Sequence, residues 1–209
     1  MTTSDTAQTR GRLIEAATEA FAEAGVFNAS LVEITRRAGQ RNRGAVHYHF
    51  GSRDGLLVAV LEQHSDFLAE REGELLTKAR ATPGNDLTSV LEAIVRPAVE
   101  LAETGPSGRR YLMIVGQLVE EYDAVAPSVA EALHHTGGYA VYELLEHRMP
   151  DLDDALRNER LALVTSFILR SVADRARQIG GRAQLPTDRF VANLVAMAAG
   201  MVTAPSIDV

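Results

Sequence analysis

Apolar residues return every three or four positions along most of this chain, and runs of alternating β-branched residues are absent. That rhythm predicts an all-helical fold. Leu13, Ala16, Ala17, Ala20, Phe21 and Ala24 form the stripe of a first helix that Gly25 ends, with Met1 to Ala7 expected as a loose arm. Ser30-Leu31-Val32-Glu33 reads as a capping box, in which the Ser30 hydroxyl accepts from the third helical N–H and Glu33 reaches back to the cap's own N–H. The short helix it opens shares Ile34 and Ala38 on one face, and Gly39 supplies its left-handed stop. After Gln40 to Asn42, a third helix spans Arg43 to Phe50 and stops at Gly51, where Ser52 is placed to cap the next. A fourth helix is expected from Arg53 to about Arg80, with a bend at Gly73.

Thr82-Pro83-Gly84-Asn85 marks a turn. Periodicity then predicts helices over about Asp86 to Thr104, kinked or broken at Pro97, and over Ser107 to Tyr122. From Pro127 to Arg148 two helical pieces are expected, with a hinge near Gly137-Gly138. The last two helices, Asp154 to Gln178 (closed by Gly180-Gly181) and Thr187 to Val202, are apolar around most of their circumference. A helix with one solvated face is not. The total is about nine or ten helices.

Charge divides this helical chain. The formal net charge is -7. Residues 1–53 hold seven Lys+Arg against five Asp+Glu, or +2, which leaves fourteen against twenty-three, or -9, for the remainder. Within Ile34 to Arg53 stand five arginines (Arg36, Arg37, Arg41, Arg43, Arg53), two histidines and no acid. A basic island in an acidic chain suits a polyanion, because each phosphate neutralised releases condensed counterions; the bland alternative is a solvated basic face. Helix, tight turn, helix is also the layout whose second helix enters the major groove.

These residues resemble the tetracycline-repressor (TetR) family of bacterial transcription regulators. The resemblance runs from about Thr9 to Leu61, through TRGRLIEAATEAFAEAGVFNASLVEITRRAG and GAVHYHFGSRDGLLVAV. Two departures stand out. Four residues (Gln40, Arg41, Asn42, Arg43) separate Gly39 from Gly44 where the family pattern has three, and His47 stands where the family usually has its first tyrosine. The resemblance implies an N-terminal helix-turn-helix DNA-binding domain over residues 1–52 and a C-terminal effector-binding and dimerisation domain over residues 53–209. It further implies a homodimer paired through the last two helices, with a buried hairpin within one chain as the alternative. Two-fold symmetry suits a palindromic operator in double-stranded DNA.

Arg43 and His47 are the expected base-edge readers, with the Ala45 methyl for apolar contact; Arg41, Tyr48, His49, Arg53 and the Ser30 helix start are expected at phosphates. Tyr48 has a second reading as a core aromatic. An apolar small-molecule inducer is expected among Phe67, Tyr111, Met113, Gln117, Tyr122, Tyr139, Tyr142 and Phe167, each of which also fits a plain core position. The implied function is that of a repressor released by an inducer. A ligand-responsive activator, an all-helical enzyme and a protein-interaction module are the alternatives.

Catalytic signatures such as G-x-S-x-G, G-x-x-x-x-G-K-[ST] and H-E-x-x-H are absent from the sequence. His47 with His49, and His134 with His135, are spaced so that neither pair shares a helix face for one metal. No cofactor is expected. With no cysteine, no run of about 18 apolar residues and a polar start, the reading is a cytoplasmic protein outside the membrane.

Overall fold

The computed structural model describes residues 3–135, 138–178 and 185–206. Among them, eleven α-helices follow one another and no strand occurs. The first four are α1 (Thr3–Ala24), α2 (Leu31–Arg37), α3 (Ala45–Phe50) and α4 (Arg53–Leu61). A 3-10 turn at Glu62–His64 leads to α5 (Ser65–Arg80), α6 (Leu87–Glu103) and α7 (Pro106–Glu120). A second such turn, Tyr122–Ala124, precedes α8 (Pro127–His135), α9 (Tyr139–Arg148), α10 (Asp154–Gln178) and α11 (Thr187–Thr203).

The helical rhythm is realised with informative departures. Thr3 to Ala7 belong to α1 rather than to a loose arm; Asp5 lies in its first turn, where a carboxylate favours the helix dipole. Leu13, Ala16, Ala17, Ala20 and Phe21 are buried as expected, but Ala24, the last residue of the helix, is exposed. The helix expected over Arg53 to Arg80 is broken into α4 and α5. His64 leaves helical geometry (φ -118°, ψ 7°) as its ring turns toward α7, where Nε2 lies 3.2 Å from Ser107 Oγ and the ring meets Tyr111 edge-on at 5.1 Å. Gly73 lies within uninterrupted α5. Pro97 lies inside α6, which continues past it with the ring buried. The hinge expected at Gly137-Gly138 falls partly outside the described residues, and the Gly180-Gly181 closure falls wholly outside them.

Helix α6 carries Leu91, Val95, Val99 and Leu101 into the interior and packs against α5, α7, α10 and α11. Its N-terminus is fixed by Asp86, whose carboxylate accepts from the N–H groups of Thr88 and Ser89 at 3.0 and 3.3 Å. The loop leading to it is held by buried Arg148 of α9, which donates to the carbonyls of Ala79 (2.7 Å) and Asp86 (2.8 Å) and to Thr82 Oγ1 (3.0 Å). Buried Arg160 of α10 donates to the Val202 carbonyl at 3.1 Å, closing α10 on α11. A guanidinium in the interior is tolerable where backbone oxygens meet its donors in this way.

Helix α1 ties the helices around the α2–α3 turn to the middle of the chain. It packs on α2 and α4 on one side and on α7 on the other, and the Arg110 to Glu19 ion pair (3.0 Å) ties α7 to it.

Candidate nucleic-acid interface

The turn between α2 and α3 is set by two caps. Gly39 has φ +68°, and the N–H groups of Gly39 and Gln40 donate to the carbonyls of Arg36 and Thr35, both at 3.0 Å. This paired pattern closes a helix on a left-handed residue, where glycine has no Cβ to clash. The extra residue before Gly44 is absorbed by Asn42. Its Oδ1 accepts from the Gly44 N–H at 2.9 Å and its carbonyl accepts from the Ala45 N–H at 3.1 Å. Asn42 thereby caps the turn that runs into α3 and presents Arg43 at its first step. An Asn two residues before a helix-opening glycine is a legible signal, but it was not among the predicted site residues.

Helix α3 sits on a core formed by Ala45 and Val46 beneath it. At 5% exposure the Ala45 methyl points inward, so it is unavailable to a base. Arg41, Arg43, His47 and Tyr48 are exposed, and His49 is half-buried. Arg43 lies in the turn just before α3, and His47 lies within the helix. Tyr48 is 76% exposed, which excludes the core reading, and it meets His49 edge-on at 5.0 Å. The far end of the helix is held by Arg10 of α1, whose guanidinium lies 5.2 Å from the Phe50 ring centre.

The five arginines of the island divide by partner. Glu33 accepts from Arg36 Nε and Nη2 at 2.8 and 2.7 Å and from Arg37 Nε at 3.0 Å; Arg37 also pairs with Glu23 at 2.7 Å. These hydrogen bonds hold the Glu33 carboxyl down at about 2, and so ionised. They also leave the capping box half-made. Ser30 Oγ accepts from the Glu33 N–H at 3.4 Å, while the carboxylate that was to reach back is drawn forward by two guanidinium groups. Arg53, expected at a phosphate, instead donates to the Val26 and Ala29 carbonyls at 2.9 and 2.6 Å. Arg41 and Arg43 form no ion pair among the described residues and are exposed, so their positive charge is open to a polyanion.

Ser52 caps α4 by accepting from the Gly55 N–H at 3.0 Å. A Cβ on Gly55 would lie 2.0 Å from the Phe50 carbonyl oxygen, so the close crossing from α3 into α4 requires glycine. The loop joining α1 to α2 is held from both sides. Val26 donates its N–H to Gln117 Oε1 of α7 at 3.1 Å, while its carbonyl takes Arg53.

The predicted ligand residues are dispersed. Tyr111 is buried against His64, and Gln117 is engaged by Val26. Tyr122 and Tyr139 are exposed, whereas Phe67, Met113, Tyr142 and Phe167 are partly buried against the core. An open cleft of about 570 Å³ lies elsewhere, beside Glu146, His147 and Arg157. A smaller one of about 270 Å³ lies between the α1–α2 loop, α4 and α8, beside Phe27, Leu57 and Val129. No helix among the described residues is long and apolar enough to cross a membrane, and no group of three or more His, Asp or Glu among them is arranged to hold a metal ion.

Residues 13–60 match the family model for bacterial regulatory proteins of the tetR family, and residues 92–201 match that for the tetracyclin repressor-like C-terminal domain. The HTH-type transcriptional regulators TtgR and SrpR of Pseudomonas putida are each 29% identical, over 161 and 146 residues. Those stretches cover 76% and 70% of this chain and 66% and 63% of the relatives, so the match spans slightly under two thirds of their length. A solved transcriptional regulator from Rhodococcus sp. Rha1 is 25% identical with a TM-score of 0.55, covering 92% of this chain and 95% of its own.

Proposed function

The chain belongs to the tetR family of bacterial regulatory proteins, and from that premise we propose that it is a cytoplasmic repressor that binds a palindromic operator as a homodimer and leaves it when a small molecule binds. The observation that carries the reading is the surface of the turn into α3. Exposed Arg41, Arg43, His47 and Tyr48 stand together there without an intrachain ion pair among the described residues, over an apolar base that fixes their direction. Arg43 and His47 read base edges; Arg41, Tyr48 and His49 hold phosphates together with the Ser30 start of α2.

Two units divide the work: residues 1–52 bind DNA, and residues 53–209 bind the effector and dimerise. Half-exposed Leu163 of α10 (52%) and Met197 of α11 (50%) support pairing of these two helices with their mates. The half-sites then lie about 34 Å apart or at a multiple of that. Coupling runs through Val26, whose peptide is held by Gln117 from the effector unit and by Arg53 at the head of α4. A ligand that prefers a shifted α7 carries the α1–α2 loop with it and moves α3 out of half-site spacing.

Selection from random duplexes, followed by fluorescence anisotropy of the enriched sequence at several salt concentrations, tests the reading. A palindrome bound at least about a thousandfold tighter than scrambled DNA supports it; weak, wholly salt-sensitive binding without enrichment, with and without a ligand library, overturns it.

A further inference from the structure

Helix α5 buries Leu68, Leu75, Leu76 and Ala79. Glu72 follows Leu68 by four residues and precedes Leu75 and Leu76 by three and four, so helical spacing puts a carboxyl on the buried stripe. Its Oε2 is shut off from solvent and has no hydrogen-bond partner. An unpaired buried oxygen costs free energy that an apolar side chain would not, which calls for an explanation.

Among the described residues, the surroundings supply apolar contact and a hydroxyl, but no counter-charge. Burial alone pushes the Glu72 carboxyl up to about 8, with no neighbouring charge contributing. Arg71, next along α5, is held by Glu74 at 2.5 Å and by Glu100 of α6 at 2.6 Å. From α9, which packs on α5, partly buried Tyr142 faces Glu72, and its hydroxyl bonds to Thr165 of α10. Burial first, and then the charge of Glu72, push the Tyr142 hydroxyl up.

We infer that Glu72 receives the charged end of a small organic cation, an ammonium group on an apolar body, bound between α5, α9 and α10. A cation supplies the partner that the carboxylate lacks, and the partly buried Tyr142 ring beside Glu72 suits an apolar body. On binding, the carboxyl gives up its proton to solvent and the ion pair forms in its place. Tyr142 stays protonated and offers its hydroxyl beside the pair. This deepens the effector-binding reading of residues 53–209 and rests on it, yet the binding step can be measured without DNA.

Calorimetric titration of the full chain with phenylbutylamine and, in parallel, its neutral counterpart phenylbutanol tests the inference. The amine should bind at least about tenfold more tightly than the alcohol. Its affinity should rise by up to about tenfold per pH unit below about pH 8 and level off above it. Proton release should appear as heat that depends on the buffer, and the alcohol should show neither effect. Glu72→Gln should remove the amine's advantage and its proton release, and Tyr142→Phe should retain both. Equal binding of amine and alcohol, no binding of either, or an advantage that survives Glu72→Gln overturns the inference. Should Glu72→Gln fail to fold, the wild-type pH series still decides. An operator without amine preference removes this inference alone; amine preference without any operator removes the regulator reading and leaves the site.

Discussion

The helices around the α2–α3 turn keep their charged groups outside, whereas the helices from α5 onward also take a few into the interior. In the first region the interior is apolar, through Leu13, Phe21, Ile34 and Val46, and the arginines stand outside or bond to surface loops. In the second, Arg148 and Arg160 lie within the fold and Glu72 joins the buried stripe of α5. Surface chemistry can be altered with little effect on folding, whereas interior chemistry ties function to stability. On the proposed reading, in which one region reads DNA and the other binds a small molecule, that division lets operator preference change without disturbing the switch.

The largest effect should come from the interior of the second region. Arg148→Ala removes donors from the Ala79 and Asp86 carbonyls and from Thr82 at once, and it should destabilise the chain by about 3 kcal/mol in urea unfolding. A loss below about 1 kcal/mol would show that water replaces the guanidinium at no great cost, and the contrast between the regions would weaken.

Arg43→Ala sharpens the contrast from the other side. It should leave unfolding free energy within about 0.5 kcal/mol, while operator affinity falls by ~1–3 kcal/mol and preference relaxes at one base position. Equal weakening on every sequence would move Arg43 from base reading to phosphate holding.

Much of this contrast is legible in the residue pattern, and the remainder is missing from it for physical reasons. Helix ends were readable because Ser30, Gly39, Gly51 and Ser52 act within their own turn. The Arg36 and Arg37 pairings with Glu33 were also within reach, since three- and four-residue spacing puts these groups side by side. The break at His64 was not, since the groups its ring meets, Ser107 and Tyr111, lie more than forty residues away. Nor was the Gln117 bond to Val26, made across ninety-one residues. Ala45 is ambiguous in the sequence because one methyl suits a groove and a core equally well, and the packing of α3 buries it.

Glu72 offers a test read through pH rather than through a single substitution alone. Its folded-state pKa of about 8 lies above its ordinary value of 4.5, so the native state holds a proton that the unfolded chain releases. Its contribution to stability is therefore fully present below about pH 4.5 and is lost as pH rises through about 8. Compared with Glu72→Gln, the wild type should lose stability over that interval with a slope no steeper than about 1.4 kcal/mol per pH unit. Parallel curves for the two proteins would mean that the carboxyl is solvated in the native state.

The smallest effect concerns how much of the arginine island is available to DNA. Glu33 is ionised at neutral and mildly acid pH, because Arg36 and Arg37 hold its carboxyl near 2; a substitution is what releases them. Glu33→Gln keeps the size of the side chain and the backbone N–H that Ser30 caps, and removes only the charge. Arg36 then loses its carboxylate partner, while Arg37 retains Glu23. Affinity for scrambled DNA should rise slightly, and the slope of log affinity against log salt should steepen by no more than about 1, one further phosphate contact. The ratio of operator to scrambled binding should stay constant, since phosphate contacts carry no sequence information. An unchanged salt slope would put Arg36 out of reach of the backbone and leave the DNA face to the turn into α3; a changed ratio would show that the end of α2 takes part in reading sequence.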